Sequence, residues 1–129
     1  MKKIIQTDKA PAPIGPYSQA VLVGNTLYTS GQIALDAESG ELVVSNINLE
    51  TRKVMNNMHA VLQAAGMGFE DVVKSTIYLS AMKNFEQVNE VYASYFNEDE
   101  APARETVAVA ELPKKVNVEI SMIAIKASL

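Results

Sequence analysis

The last apolar stretch of the chain, residues 116–125 (VNVEISMIAI), alternates in the way that a β-strand requires. Every second side chain from Val116 to Ala124 is apolar, which predicts that one face of this strand packs against a core. The opposite face begins polar but ends with Ile123 and Ile125. A sheet covered by helices on one side only should be polar on its other side. Apolar side chains on both faces therefore predict that the second face is also buried, and we infer a homo-oligomer.

Hydrophobic periodicity and turn residues predict the remaining elements. Two helices are expected at residues 48–65 and 85–96, where Gly66 is suited to end the first and Asn84 to cap the second. The other expected strands are residues 20–23, 26–33, 42–44, 72–79 and 106–110. The last of these is expected to form a hairpin with residues 116–125. This order predicts an α+β fold, a two-layer sandwich with two helices on one face of a five- or six-stranded mixed sheet.

Composition limits the classes of function that the chain supports. Residues 1–129 contain no cysteine, which excludes disulfides, thiolate metal sites and a cysteine nucleophile. His59 is the single histidine, which argues against a zinc site built from several histidines and leaves only one candidate base for a Ser-His-Asp triad. The net charge of −4 argues against general affinity for nucleic acid. With no secretory signal and no apolar run near the roughly 20 residues of a membrane span, we expect one cytoplasmic domain without metal or cofactor.

Two opposite charges flank the Pro-Lys-Lys connection of the predicted hairpin. If the hairpin is centred between residues 111 and 113, Arg104 lies within about three positions of Glu119 across the ladder, each position being about 3.3 Å. Long Arg and Glu side chains span that gap. One interpretation is an exposed salt bridge worth about 0–1 kcal/mol, with Glu105 as a competing partner for the arginine. The other interpretation is a site that holds a small anionic substrate and a water molecule.

Three further segments combine polar side chains with turn or strand-end positions. Tyr17 follows a Gly-Pro pair, so its ring could cap a pocket or pack on the surface. Ser30 and Gly31 end a strand, where glycine permits the close approach of a ligand, although a β-bulge explains the same residues. Asn89 on the second helix faces either a sheet edge or solvent. None of these signals identifies a site by itself.

Six blocks of sequence, in order and with no large insertion, are similar to the RidA/YjgF family. They are GPYSQA at 15–20, YTSGQI at 28–33, NNMHAVLQAAG at 56–66, DVVKSTIYL at 71–79, FEQVNEVYASYF at 85–96, and PAR at 102–104 followed by the LP and VEI of 112–120. The resemblance implies a chorismate-mutase-like fold and a homotrimer with clefts between subunits. It also implies hydrolysis of reactive 2-imino or enamine acids, such as 2-iminobutanoate and 2-iminopropanoate, to 2-keto acids and ammonia.

The same resemblance assigns roles to individual residues, and it implies no metal or organic cofactor. Arg104 binds the carboxylate of a small anionic imino or keto acid, because a planar guanidinium can grip a carboxylate with two hydrogen bonds. Glu119 orients and activates a water molecule. The other residues implied to line or close the pocket are Ser30, Gly31, the backbone N–H of Thr106, Asn89, and Tyr17 from the neighbouring subunit.

Two positions depart from the usual family pattern. Members usually carry a small residue after the arginine, where this chain has Glu105, and many carry cysteine where it has Thr106. A carboxylate at position 105 competes for Arg104 unless strand alternation turns it to the other face. The alternative functions are a non-enzymatic module that binds a small carboxylate, and an endoribonuclease or translation inhibitor. The acidic charge and the single histidine weigh against the ribonuclease.

Overall fold

The computed structural model describes residues 1–127, which form one mixed sheet of six strands with two helices packed on one face. The strands are β1 (Lys2–Ile5), β2 (Ala20–Val23), β3 (Thr26–Thr29), β4 (Val72–Leu79), β5 (Ala103–Ala108) and β6 (Val118–Ile125). The helices are α1 (Ile47–Ala64) and α2 (Phe85–Ala93), with short 3-10 turns at Phe69–Asp71, Met82–Asn84, Glu98–Glu100 and Pro113–Lys115. The predicted α+β two-layer sandwich is confirmed. No helix within the described residues is both long enough and apolar enough to cross a membrane.

Helix α1 begins and ends where local signals place it. Asn46 caps its start, since Oδ1 of this residue accepts a hydrogen bond of 2.8 Å from the N–H of Leu49. At the other end Gly66 adopts φ of 73°, and the N–H of Met67 reaches back to the carbonyl of Leu62 at 2.9 Å. A left-handed residue here suits glycine because no Cβ clashes. The predicted bounds of this helix are therefore correct to one residue at each end.

Helix α2 is shorter than the predicted segment 85–96. Its α-helical part ends at Ala93, and the N–H groups of Ser94, Tyr95 and Phe96 bond instead to carbonyls three residues earlier, at 3.1–3.2 Å. Asn84 occupies the N-cap position but its side chain makes no capping hydrogen bond. The 3-10 turn Met82–Asn84 leads directly into the helix. The predicted side-chain cap is therefore wrong, although the position of the helix start is correct.

The strand order is β1-β2-β3-β6-β4-β5, so the predicted hairpin between residues 106–110 and 116–125 is wrong. Strand β6 lies between β3 and β4, antiparallel to both, whereas β5 pairs in parallel with β4 at the edge. Strand β4, helix α2 and β5 form a crossover unit, which parallel neighbours require. The alternating apolar side chains of β6 suit an inner strand, and the charges of β5 suit an edge.

Three other strand predictions need correction. Strand β1 lies outside the predicted strands; Lys2–Ile5 is short, begins with two lysines and pairs with β2 at the edge of the sheet opposite β5. Residues 42–44 form no strand and contribute only the isolated bridge between Leu35 and Leu42. The strand expected over 26–33 stops at Thr29 and resumes only as a bridge between Gln32 and Ile120.

The core lies between the sheet and the two helices, and the other face of the sheet is open in a single chain. Fully buried large side chains include Leu27, Met55, Met58, Leu62, Ile77 and Ile120. On the open face, cross-strand register aligns Val21, Tyr28 and Ile123 in one row, and Val23, Thr26 and Ile125 in another. Tyr28, Val23 and Ile125 are 49%, 46% and 41% exposed. The second apolar face predicted from residues 116–125 is therefore present, and its burial in an oligomer stays a prediction.

Candidate functional site

Glu119 lies on the open face of β6, beside a cavity of about 130 Å³. Tyr17 and Gly31 line the same cavity, together with the apolar side chains Ile14, Ile33 and Leu35. Burial raises the pKa of the Glu119 carboxyl, because desolvation destabilises the charged carboxylate more than the neutral acid. Such a group is a stronger base than an exposed glutamate. We call this cavity the Glu119 cavity, and the set of Tyr17, Gly31 and Glu119 beside it the Glu119 pocket.

Gly31 permits the close approach of the Glu119 side chain. A Cβ atom at position 31 would overlap a carboxylate oxygen and would lie 2.7 Å from Cδ and 2.9 Å from Cγ of Glu119. The backbone beside Gly31 is held by two hydrogen bonds, from Gln32 N–H to the Ile120 carbonyl at 2.8 Å and back at 3.1 Å. Glycine is therefore needed for the Glu119 side chain to take this position, for reasons of space rather than of backbone angle. The group that approaches Gly31 is the Glu119 side chain, and the predicted close approach of a ligand stays a prediction.

The irregular arm of residues 6–19 is tied down by one buried amide. Nε2 of Gln19 donates to the carbonyls of Thr7, Ala10 and Pro11 at 2.8–3.2 Å, and its Oε1 accepts from the N–H of Thr7 at 2.7 Å. Ser30 extends this anchoring, because its hydroxyl donates to the carbonyl of Ser18 at 2.5 Å. The arm is thereby fixed against the end of β3, which places Tyr17 over the cavity.

Two of the predicted pocket residues, Ser30 and Tyr17, have different positions relative to the cavity beside Glu119. Ser30 does not line the cavity of Glu119; its hydroxyl is used to hold the arm. Tyr17 lies in the Glu119 pocket of its own chain, with its side chain 51% exposed. The resemblance had implied Tyr17 from a neighbouring subunit. A single chain does not test whether Tyr17 of a neighbouring subunit reaches the Arg104 side of the site, so that expectation stays a prediction.

Arg104 projects from β5 toward helix α2. Its Nη1 donates to Oδ1 of Asn89 at 2.6 Å, and its Cζ lies 5.2 Å from the ring centre of Tyr92 and 5.8 Å from that of Phe85. The Tyr92 hydroxyl in turn donates to Ser75 at 2.8 Å, and burial raises the pKa of Tyr92. The guanidinium is oriented by one amide and two aromatic faces while it remains exposed. We call Phe85, Asn89, Tyr92 and Arg104 the Arg104 cluster.

The Arg104 cluster and the Glu119 pocket lie on opposite faces of the sheet. Arg104 is aligned with Ser75 and, through it, with Met122, both of which are buried against the helices. Glu119 is aligned with Tyr78. Tyr78 is three residues from Ser75 on β4, so its side chain points to the face opposite that of Ser75. The interpretation that a hairpin brings Arg104 and Glu119 together within one chain is therefore wrong.

Glu105 does not compete for Arg104. It faces the open side of the sheet, where its carboxylate accepts a hydrogen bond from Thr76 at 2.7 Å and pairs with Lys74 at 3.1 Å. These two contacts lower the pKa of Glu105. Thr106 returns to the side of Arg104, and its Oγ1 is buried with no hydrogen-bond partner among residues 1–127. Strand alternation therefore places Glu105 on the face of the sheet opposite Arg104, where it cannot compete with a ligand for the guanidinium.

Two charged residues near Glu119 carried no distinctive signal in the sequence. Glu50 on α1 is fully buried, and its carboxylate accepts from Asn117 N–H at 2.7 Å, Asn117 Nδ2 at 2.8 Å and Val118 N–H at 3.2 Å. It thus fixes the start of β6, directly before Glu119. Lys114, predicted only as part of a connection, lines the Glu119 cavity. Within the described part of the chain, no three His, Asp or Glu side chains are arranged to hold a metal ion.

Comparisons with known proteins agree with this architecture. The family model described as Endoribonuclease L-PSP matches residues 7–126. A RutC family protein of Pyrococcus horikoshii is 51% identical over 126 residues, covering 98% of this chain and 99% of its own. The human protein named 2-iminobutanoate/2-iminopropanoate deaminase is 46% identical over 129 residues, covering all of this chain and 93% of its own.

The solved structures include a similar fold at nearly full length. The crystal structure of the YjgF gene product from E. coli superposes with a TM-score of 0.90 at 41% identity, covering 96% of this chain and 98% of that one. Similarity of this extent leaves no large segment of either chain unmatched. The full-length matches in sequence and in structure, together with the motifs that carry Arg104 and Glu119, show that this chain belongs to the RidA/YjgF family.

Proposed function

We propose that the protein hydrolyses 2-iminobutanoate and 2-iminopropanoate to the corresponding 2-keto acids and ammonia, in clefts shared between subunits of a homotrimer. Family membership supports a deaminase function, since mammalian relatives 46–47% identical to this chain carry that name. The finer assignment rests on the residues of this chain. Arg104 and Glu119 are the two groups whose chemistry the reaction needs.

The observation that carries the proposal is the separation of Arg104 from Glu119 within one chain. The Arg104 cluster offers an oriented guanidinium but no base, and the Glu119 pocket offers a base of raised pKa but no guanidinium. Both are accessible, Arg104 on an edge strand and Glu119 beside an open cavity. Two copies of the chain can complement each other if the edge of one meets the open face of the next. The apolar rows around Tyr28 and Ile125 favour such burial.

The chemistry follows from these two groups. Arg104 of one subunit holds the substrate carboxylate, and Glu119 of its partner takes a proton from water as the water oxygen bonds to C2 of the iminium. Glu119 then returns that proton to the amine, and the C–N bond breaks. The hydroxyl proton is lost to the departing ammonia, which leaves a 2-keto acid and ammonium. Positioning and one general-base contact, the latter typically worth 10²–10⁴-fold, supply the rate.

A coupled assay tests the proposal. A pyridoxal-phosphate dehydratase acting on threonine releases the enamine that becomes 2-iminobutanoate, and ammonia release is then followed with and without this protein. We expect release faster than spontaneous hydrolysis with the wild type but not with Glu119→Gln. Equal rates with the wild type and with no protein would reject the imine hydrolase.

The alternative function, a non-enzymatic module that binds a small carboxylate, requires different residues in the site. Such a module needs Arg104 but not a base, and it would bind 2-oxobutanoate without accelerating imine hydrolysis. Glu119 packs closely on Gly31, and its carboxylate is partly desolvated, which raises its pKa. Perturbed pKa values cluster at functional sites, so this arrangement favours a catalytic use of the carboxylate. An endoribonuclease is less well supported, because His59 stacks on Phe69 with ring centres 5.5 Å apart and lies outside the Glu119 cavity.

A further inference from the structure

Lys114 is the one positively charged residue among the described residues that line the Glu119 cavity. Lys114 is exposed, and it has no ion-pair partner within residues 1–127. Lys53, Lys74 and Lys126 each approach a carboxylate within 4.0 Å, whereas the other lysines of residues 1–127, Lys114 among them, do not. An unpaired ammonium beside a cavity is available to a ligand.

The backbone holds Lys114 in a conformation that a side chain disfavours. Lys114 has φ of 54° and ψ of 19°, and Lys115 has φ of 57°, so two successive non-glycine residues are left-handed. Strained residues persist only where the surrounding structure determines them, and they cluster at functional sites. Glycine at either position would remove the strain, yet this chain has lysine at both.

Contacts on both sides of the turn maintain this conformation. The N–H of Lys115 bonds to the Leu112 carbonyl at 2.9 Å and that of Val116 to the Pro113 carbonyl at 3.3 Å. Leu112 and Val116 are buried, with exposures of 6% and 1%, and so anchor the two ends. Glu50 then holds the residues that follow. The position of Lys114 relative to the cavity is therefore determined by the core.

We propose that Lys114 is a specificity-determining residue of this site, which selects substrates with a free carboxylate. The inference rests on the proposed function and deepens it. An anionic imino acid that approaches the Glu119 carboxylate meets repulsion between like charges. The Lys114 ammonium at the same cavity offsets that repulsion and attracts the anion, while the guanidinium of Arg104 provides the directed grip. The substrate class is accordingly 2-imino monocarboxylates, and neutral imino amides gain nothing from Lys114.

Lys115 provides a matched control for Lys114. It is adjacent, exposed, equally charged and also left-handed, but it does not line the cavity. Lys114→Met and Lys115→Met remove the same charge and keep a long side chain at a positive φ. Any difference between the two variants therefore reports the position of the ammonium rather than net charge or backbone strain.

The first test is binding of 2-oxobutanoate, the product anion, titrated by NMR at low ionic strength and at about 0.5 M salt, where charges are screened beyond about 4 Å. We expect Lys114→Met to weaken binding about 5-fold at low salt and less at high salt, and Lys115→Met to change it less than 2-fold. Equal effects of the two substitutions would overturn the inference. Binding does not require turnover, so a wild type that binds 2-oxobutanoate in this Lys114-dependent way without hydrolysing imines would reject the hydrolase and support the anion subsite.

A second pair of variants separates strain from function. Lys114→Gly and Lys115→Gly should each raise the melting temperature, because glycine adopts a positive φ without a Cβ clash. Only Lys114→Gly should also raise KM for 2-iminobutanoate, by about 5-fold, with little change in kcat. A Lys114→Gly protein that is more stable and has an unchanged KM would show that the strained lysine has no part in substrate selection.

Discussion

Nη1 of Arg104 donates a hydrogen bond of 2.6 Å to Oδ1 of Asn89, across the gap between strand β5 and helix α2. The faces of Tyr92 and Phe85 restrict the same guanidinium from a second direction. A side chain held in this way loses little conformational freedom when it binds a ligand, which is the benefit of preorganisation. One of its five N–H groups is used by Asn89, and the others remain for a carboxylate.

Arg104→Lys should lose imine hydrolysis by about 100-fold while the fold is retained. Lysine keeps the charge but lacks the planar two-pronged geometry, and it cannot make the same contact with Asn89 while gripping a carboxylate. The measurement is kcat/KM in the dehydratase-coupled assay, with circular dichroism as the control for folding. Activity close to the wild type would contradict the assignment of Arg104 as the carboxylate binder.

Glu119→Gln should reduce kcat by 10²–10⁴-fold while 2-oxobutanoate still binds, because the amide keeps the shape of the side chain but removes the base. Wild-type activity should fall as the pH drops through the raised pKa of Glu119. An unaffected rate in the variant would contradict the role of Glu119 as the base and would favour the binding module.

The same substitution should also increase stability at neutral pH. A carboxyl whose folded pKa lies above its unfolded value disfavours folding when ionised, and this effect is complete above the folded pKa. It disappears as the pH falls below the unfolded pKa, where both states are protonated. The melting temperature of Glu119→Gln should therefore exceed that of the wild type at pH 7 and converge with it in acid. A constant difference at all pH values would contradict the desolvation of Glu119.

Glu50→Gln should destabilise the protein by about 1–3 kcal/mol. The two carboxylate oxygens of Glu50 accept three hydrogen bonds in a fully buried position, and an amide nitrogen in place of one oxygen leaves a donor unsatisfied. Urea unfolding measures the effect, with the exposed substitution Glu38→Gln as a matched control. Equal midpoints for the two variants would show that the Glu50 contacts contribute no net stability.

Mixing of two inactive variants tests whether each cleft is shared. Subunits of Arg104→Ala and of Glu119→Gln, unfolded and refolded together in equal amounts, should recover about a quarter of wild-type activity. In a random mixed trimer, that is the fraction of clefts in which one subunit supplies Arg104 and its neighbour supplies Glu119. Sedimentation should show a trimer. No recovery in verified mixed trimers would show that no cleft combines Arg104 of one subunit with Glu119 of another.

Local sequence determines those features of this protein that depend on neighbouring residues. Helix α1 is bounded by Asn46 and Gly66, whose effects act within one turn, so its ends were predictable to one residue. The alternation of residues 116–125 identifies a strand with a buried face because side-chain direction has a period of two. The same short-range chemistry singled out Arg104, Glu119 and Gly31 as residues with functional potential.

Only the tertiary structure decided which strands meet, and with them which side chains share a pocket. The insertion of β6 between β3 and β4 depends on contacts between residues far apart in the chain, which no local pattern specifies. That insertion places Glu119 against Gly31, beside a cavity that Lys114 also lines. It leaves β5 to carry Arg104 toward Asn89 on the other face. Strand pairing is selected by the global burial of apolar surface, so residues adjacent in a predicted hairpin can lie on opposite faces of the sheet with another strand between them.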